Sequence, residues 1–266
     1  MLLDFDRLGA LRYVLGGISL LAGIFLLFPV VMIVALSFGS SQWLQFPPPG
    51  WTLQWYEELF ADPAWLDAFL TSLEIAAIVT VLSVVIGLMA SFGLTRGTFR
   101  GREVLRALFL TPMILPVVVL AVALYAFFLR LHLNGTLIGF VIAHLIVALP
   151  FSIISITNSL ERFDKSIEDA AVLCGASPLE AKLRVTLPGI RLGIMGAAIF
   201  SFLASWDEVV IAIFMASPDL QTLPVMIWST LRQDLSPVIA AVSTLLVGFT
   251  AILMMFAAFI RKEPQQ

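Results

Sequence analysis

Six long apolar stretches, separated by shorter polar ones, run through the chain at about 14–38, 69–95, 107–129, 136–156, 189–216 and 238–260. A helix needs roughly 20 mostly apolar residues to cross a bilayer core, and each stretch supplies them. The pattern therefore predicts an all-α membrane protein with six transmembrane helices. The third stretch is charge-free for 23 residues, about 35 Å of helix, with Pro112 and Pro116 expected to kink its inner end. Pro29 lies inside the first, where neighbouring helices can satisfy the carbonyl it frees.

Two stretches carry small residues at helical spacing. Ser83, Gly87 and Ser91 recur every fourth position in the second; Gly189, Gly193, Ala197, Ser201 and Ser205 do so in the fifth. Such stripes let another helix approach closely, and the fifth stretch predicts a contact either within its own bundle or with a partner subunit. His144, in the fourth stretch, fits an interhelical hydrogen bond better than a metal site, because no carboxylate or thiol shares its span.

Between the first two spans, Gly39 to Asp67 forms a loop with a stiff Pro47-Pro48-Pro49-Gly50 turn and a short helix expected over Thr52 to Phe60. Trp43, Trp51, Trp55, Tyr56 and Trp65 crowd this loop, as aromatic residues do at the headgroup level. A solute cage is the rival reading of the same rings.

Composition agrees with the pattern. With 60% hydrophobic and 12% charged residues, and a mean hydropathy of +1.03, the chain does not suit a soluble domain. The first stretch is too long for a cleavable signal and lacks a small-residue cleavage site, so it is expected to be a retained anchor. Charge then sets orientation. Six spans with both ends inside place Arg7, Arg12, Arg96, Arg100, Arg102, Arg106, Arg162, Lys165, Lys182, Arg184, Arg191, Arg261 and Lys262 on the inner side. Only Arg130 and Arg232 fall outside. Thirteen basic residues against two predict cytoplasmic termini. The Arg96–Arg106 cluster is far too small for a nucleic-acid surface, so no nucleic-acid partner is expected.

The long polar interruption, Glu161 to Arg191, holds 10 of the 33 charged residues (15 basic plus 18 acidic) and must meet water or protein. It predicts two short helices. Ser166 with Asp169 has the form of a helix start, and Gly175 can supply the left-handed residue that ends that helix. Ser177, Pro178 and Glu180 start the second as N-cap, first-turn proline and capping-box acid. Leu187-Pro188 marks the return to the membrane. Cys174, the single cysteine, excludes an intrachain disulfide and is best read as a small apolar filler.

The chemistry that is missing narrows function. There is no phosphate-binding G-x-x-x-x-G-K-[ST] loop, so energy must come from a partner. No catalytic triad, dinucleotide fingerprint or metal-ligand cluster is present, and a transport role is expected rather than an enzyme's. An ATP-independent transporter built on internal repeats is the rival class, but no repeat is visible. Trp206-Asp207-Glu208 places two carboxylates deep in the fifth span. Intramembrane acids face an aqueous path or pair across helices, and both readings stand for these two.

The run Asp169-Ala170-Ala171-x-x-x-Gly175, nine residues, then Val185-x-Leu187-Pro188 resembles the EAA loop of permease subunits in bacterial binding-protein-dependent ABC importers. Asp169 stands in the family's Glu position, Val185 in its Ile position, and Lys182 where relatives often carry Phe. Pro47, Pro48 and Gly50 with Thr52 to Tyr56, Ala143-His144, Pro150-Phe151, and Ser205 to Glu208 look like the spermidine/putrescine-type branch. The resemblance implies a type I ABC importer permease fold forming a single transmembrane domain over residues 1–266 in the bacterial inner membrane, both termini cytoplasmic. It implies as partners a dimer of ABC ATPase subunits, which bind ATP and Mg while this chain holds no cofactor, a second homologous permease subunit and a periplasmic substrate-binding protein. Asp169, Ala170, Ala171, Gly175, Leu187 and Pro188 would form the coupling site, and Trp206, Asp207 and Glu208 would line the path of a polyamine. Related members carry amino-acid derivatives, opines or metal chelates.

Overall fold

The computed structural model describes residues 11–233 and 236–261; Met1 to Ala10, with Arg7, and Lys262 lie outside them. The described residues are helical throughout, apart from connecting segments and two isolated bridges, Gly39–Trp51 and Ser217–Leu220. They fall into two compact units, residues 11–63 with 229–233 and 236–259, and residues 64–228 with 260–261.

In the first unit, α1 (Leu11–Ser37) carries Pro29 inside it, as expected. Its apolar side chains, such as Phe25 and Leu26, are exposed, a surface suited to lipid. The loop after it folds back so that α2 (Gln54–Ala61) is tied to the end of α1. Thr52 N donates to Phe38 O at 2.8 Å, Trp55 Nε1 to Gly39 O at 2.7 Å, and the Ser37 and Tyr56 hydroxyls bond at 2.8 Å. The tryptophans thus divide by role. Trp43 and Trp51 are exposed, as interface anchors are, whereas Trp55 is a buried tie. The helix α13 (Val238–Arg261) completes this unit.

The second unit is built around α6 (Leu137–Arg162). On one side lies α3 (Pro63–Arg96), whose stripe of Ser83, Gly87 and Ser91 is buried. Ser91 Oγ donates to Ile153 O at 3.2 Å and accepts from Thr157 Oγ1 at 3.1 Å, and a Cβ on Gly87 would strike the side chain of Ser152. The helix α10 (Arg191–Trp206) also packs on α6. Ser155 Oγ donates to Gly193 O at 2.9 Å, and a Cβ on Gly193 would collide with Ser159. Ala197 is fully buried. Ser201 bonds Ser83 across the bundle at 2.9 Å, and Ser205 bonds His144 Nδ1 at 2.9 Å. The small stripe of the fifth span therefore packs on its own bundle. His144 makes the interhelical bond its setting predicts.

Three spans depart from the sequence expectation, two of them by breaking. The third is two helices, α4 (Arg102–Ile114) and α5 (Val117–Arg130), meeting at 104°, a break rather than the expected kink. Pro116 lacks an N–H and drives Leu115 out of the helical region, to ψ 141, so the hydrogen-bond ladder stops there. Arg102 and Arg106, which fall between the second and third apolar stretches and so read as loop residues in the sequence, stand on α4. The fourth span runs six residues past its expected end at Ile156, to Arg162. The fifth is interrupted twice: a 71° bend separates Gly189 from α10, and residues 207–209 separate α10 from α11 (Val210–Met215). Among the described residues, four helices are long and apolar enough to cross a membrane alone, and six spans result if each bent pair counts as one.

Because lipid offers no hydrophobic drive for helix association, these close contacts carry the packing. Gly87→Leu should destabilise the folded subunit by about 1–3 kcal/mol through overpacking, seen as a lower Tm in detergent. Gly93→Leu, on the same helix with no atom within 4 Å of its added Cβ, should leave Tm nearly unchanged.

Candidate functional site

The polar loop is anchored before it begins. Arg96, at the end of α3, donates from Nη2 to Leu160 O at 3.3 Å and to Phe163 O at 3.1 Å. It thereby satisfies carbonyls left open at the end of α6. The Phe163 ring lies where a Cβ on Gly189 would stand, so the entry and exit of the loop are clamped together.

The first loop helix, α7 (Lys165–Leu173), starts earlier than its sequence signal suggested. Its N-cap is Asp164, whose carboxylate accepts from Ser166 N at 2.9 Å; Ser166 lies within the first turn. Asp164 outcompetes the hydroxyl because a carboxylate at N-cap also meets the positive end of the helix. Hydrogen bonds from the Ser166 backbone, then its side chain, hold the Asp164 carboxyl below its ordinary range. The depressed value means that this cap is present above the ordinary carboxylate pKa and lost as pH falls through the lowered one, far from neutrality.

Asp169 consequently lies on the second turn rather than the first. It is exposed, facing Lys165 Nζ at 3.9 Å, and Ala170 is exposed beside it while Ala171 is half-buried. Leu173, one turn beyond Asp169, is 88% exposed, and sequence reasoning had not singled it out. Asp169, Ala170 and Leu173 share one face of α7, a small-residue floor with an acid and a large apolar group beside it.

The helix ends as Gly175 predicted. Gly175 has φ +100°, its N–H donates to Val172 O at 3.0 Å, and Ala176 N donates to Ala171 O at 3.1 Å. These are the two bonds of a Schellman cap. Ser177 and Glu180 then form the expected capping box around α8 (Pro178–Ala181), and those bonds hold the Glu180 carboxyl below its ordinary range. A π-helical turn, Lys182–Thr186, follows and passes into α9 (Leu187–Gly189). The Lys182 ammonium sits 5.7 Å over the Phe92 ring of α3, a cation–π contact. Leu187 is half-buried in a cluster with Ile156, Leu160 and Ile190, and Pro188 is exposed at the turn into the membrane span.

Sequence spacing treated Trp206, Asp207 and Glu208 as part of one helix; the structure corrects this. The helix α10 stops at Trp206, whose buried ring stacks on Phe202 at 5.6 Å and meets Phe69 edge-on at 5.6 Å. Asp207 is its C-cap and is exposed; its N–H donates to Leu203 O at 3.1 Å, and its carboxylate has no hydrogen-bond or ion-pair partner among the described residues. Glu208 turns back, and its Oε1 accepts from Ile211 N at 2.8 Å, satisfying an open donor at the start of α11. The two acids therefore separate: Glu208 is committed to backbone, Asp207 is available. Elsewhere, a groove of about 360 Å³ runs along the C-terminal half of α6, lined by Phe151, Ser155, Asn158 and Arg162, with Phe200 of α10 opposite. Its polar residues came into view only once α6 proved to continue to Arg162.

The comparisons with known proteins agree with this architecture. Residues 83–263 match the family of binding-protein-dependent transport system inner membrane components. The chain is 33% identical over 258 residues to the putrescine transport system permease protein PotI of Escherichia coli strain K12, covering 94% of this chain and 92% of that one. It is 26% identical to the spermidine/putrescine transport system permease protein PotC of the same strain, over 95% of each. It is also 27% identical to the sulfoquinovosyl glycerol transport system permease protein SmoH of Agrobacterium fabrum, over 94% of this chain and 88% of the relative. Its fold matches that of a bacterial ABC transporter involved in import of the acidic polysaccharide alginate, with a TM-score of 0.73 over 99% of both chains at 16% identity. The chain belongs to the binding-protein-dependent transport family as a multi-pass inner-membrane permease subunit of an ABC importer for a small solute, and is not an enzyme.

Proposed function

We propose that this subunit imports a polyamine of the putrescine or spermidine kind. The observation that carries the proposal is the 33% identity to a putrescine permease across 94% of the chain. In this reading the chain is one transmembrane domain over residues 1–266, with six spans and both termini in the cytoplasm, an orientation supported by the thirteen-to-two split of basic residues. It pairs with a second homologous permease, receives solute from a periplasmic binding protein, and is driven by two ATPase subunits that hold ATP and Mg. Family membership removes the ATP-independent rival.

The face of Asp169, Ala170 and Leu173 docks in the ATPase, with Ala171 behind it. Small alanines permit close approach, Leu173 supplies apolar area, and the Gly175 cap fixes the angle at which α7 is presented; Leu187 and Pro188 lead that movement into the span. ATP and the loaded binding protein each favour one of two packings of the spans, and coupling arises from that differential affinity. Asp207 lines the cation path beside Trp206, while Glu208 supports the break that exposes it.

The assembly should be isolated from native membranes by this subunit, and its ATPase rate measured with candidate binding proteins and solutes. An ATPase should copurify, and putrescine- or spermidine-loaded binding protein should stimulate its turnover. Stimulation only by a sugar, opine or metal chelate would reassign the solute. Gly175→Val should place a β-branched residue at positive φ, a strain of about 1–2 kcal/mol or more, and should abolish uptake while the subunit still reaches the membrane. Asp207→Asn should slow polyamine uptake roughly fivefold, the equivalent of about 1 kcal/mol for one charge contact, with assembly unaltered. Unchanged affinity and rate in that variant would remove Asp207 from the path.

A further inference from the structure

One charged group in the loop behaves unlike the rest. Glu168 is buried, 8% exposed, although Ile167 and Asp169 on either side of it are exposed. Its Oε2 accepts from Thr186 Oγ1 at 2.8 Å, and Thr186 is fully buried. Glu168 lies on the face of α7 turned away from Asp169, Ala170 and Leu173. Thr186 is the last residue of the π-helical turn, and its own carbonyl accepts from Ile190 N at 3.0 Å, one residue before α10 begins. The contact therefore joins the back of the docking helix to the root of the fifth span.

Burying a carboxylate is costly, and one hydroxyl bond does not recover the cost that an apolar pair would avoid. A directional bond does what an apolar pair cannot. It fixes one element to another at a single point, so that both move together. The other ties hold different parts: Arg96 grips the end of α6, Phe163 covers Gly189, and Lys182 rests on Phe92. A π turn adds one residue to a helical turn and often marks a functional site, and here it ends on the residue that Glu168 holds. We infer that the Glu168–Thr186 hydrogen bond is the positioning link that passes displacement of α7 to α10, and so couples ATP turnover to reorientation of the spans. This rests on the reading that α7 docks the ATPase.

The test uses the purified permease–ATPase assembly in proteoliposomes with its binding protein, comparing Glu168→Ala, Thr186→Val, the double variant, and the conservative Glu168→Gln and Thr186→Ser. Two quantities are read: ATPase copurified per permease, and solute moved per ATP hydrolysed. Both disruptive variants should retain the ATPase yet lose solute moved per ATP by roughly fivefold or more. The double variant should be no worse than either single one, because both remove the same bond. Glu168→Gln and Thr186→Ser, which keep an acceptor and a hydroxyl, should restore most of the ratio. Wild-type transport per ATP in both single variants, additive losses in the double, or conservative variants as impaired as the disruptive ones would each overturn the inference. So would loss of the ATPase from Glu168→Ala and Thr186→Val, which would make the contact a part of the docking shape. Failure of the ATPase to copurify with the unaltered subunit would instead overturn the docking reading beneath it.

Discussion

The second unit depends on how closely α3 and α10 can approach α6. In lipid, two helices gain little by hiding apolar side chains from each other, so contact has to come from close packing and interhelical hydrogen bonds. Gly87 and Gly193 bring backbone against the Ser152 and Ser159 side chains, and hydroxyls at Ser83, Ser91, Ser155, Ser201 and Ser205 convert that proximity into bonds. A bulkier residue at either glycine would push the helices apart and lengthen each bond along the seam. The serines serve both needs, being small enough to pass and polar enough to bind.

That seam ends where the loop begins. The last turn of α6 is held by Arg96, and the return into α10 is held by Phe163 over Gly189. The loop is therefore clamped at both ends, its two short helices are capped, and it is built on the same helices that pack along this seam. The docking role proposed for the loop would benefit from this arrangement, because a slack tether would absorb displacement before it reached the span. The exposed face of α7 and its buried Glu168 are opposite sides of one nine-residue helix.

The break in the fifth span serves a different purpose. Stopping α10 at Trp206 frees backbone groups that would otherwise be satisfied within the helix. Glu208 returns to cap the start of α11, and at the far end of that short helix Asn134 Nδ2 and Gly135 N donate to Phe214 O and Met215 O at 3.1 and 2.9 Å. With those groups satisfied, Asp207 remains exposed. Irregular backbone in a membrane protein is tolerated where protein or a water-filled cavity surrounds it, which is compatible with the path role proposed for Asp207.

Apolar length alone marked the spans, because crossing a bilayer is a property of consecutive residues. The caps at Gly175, Ser177 and Glu180 were equally legible, since each is satisfied within a few residues of itself. The stripes at Ser83 and Gly193 announced close contacts by their spacing, and the structure added which helix they meet. Other features were not local. Ser166 looked like a helix start until Asp164, two residues earlier, took the bond. Glu168 gave no sign of burial, because its partner lies eighteen positions away and is reached only after the loop has turned back. Asp207 and Glu208 seemed equivalent neighbours until the helix stopped between Trp206 and Val210. Sequence by itself determined the elements whose hydrogen bonds close within a turn or two. Tertiary structure decided which buried polar groups find partners, because those partners are brought together only by packing.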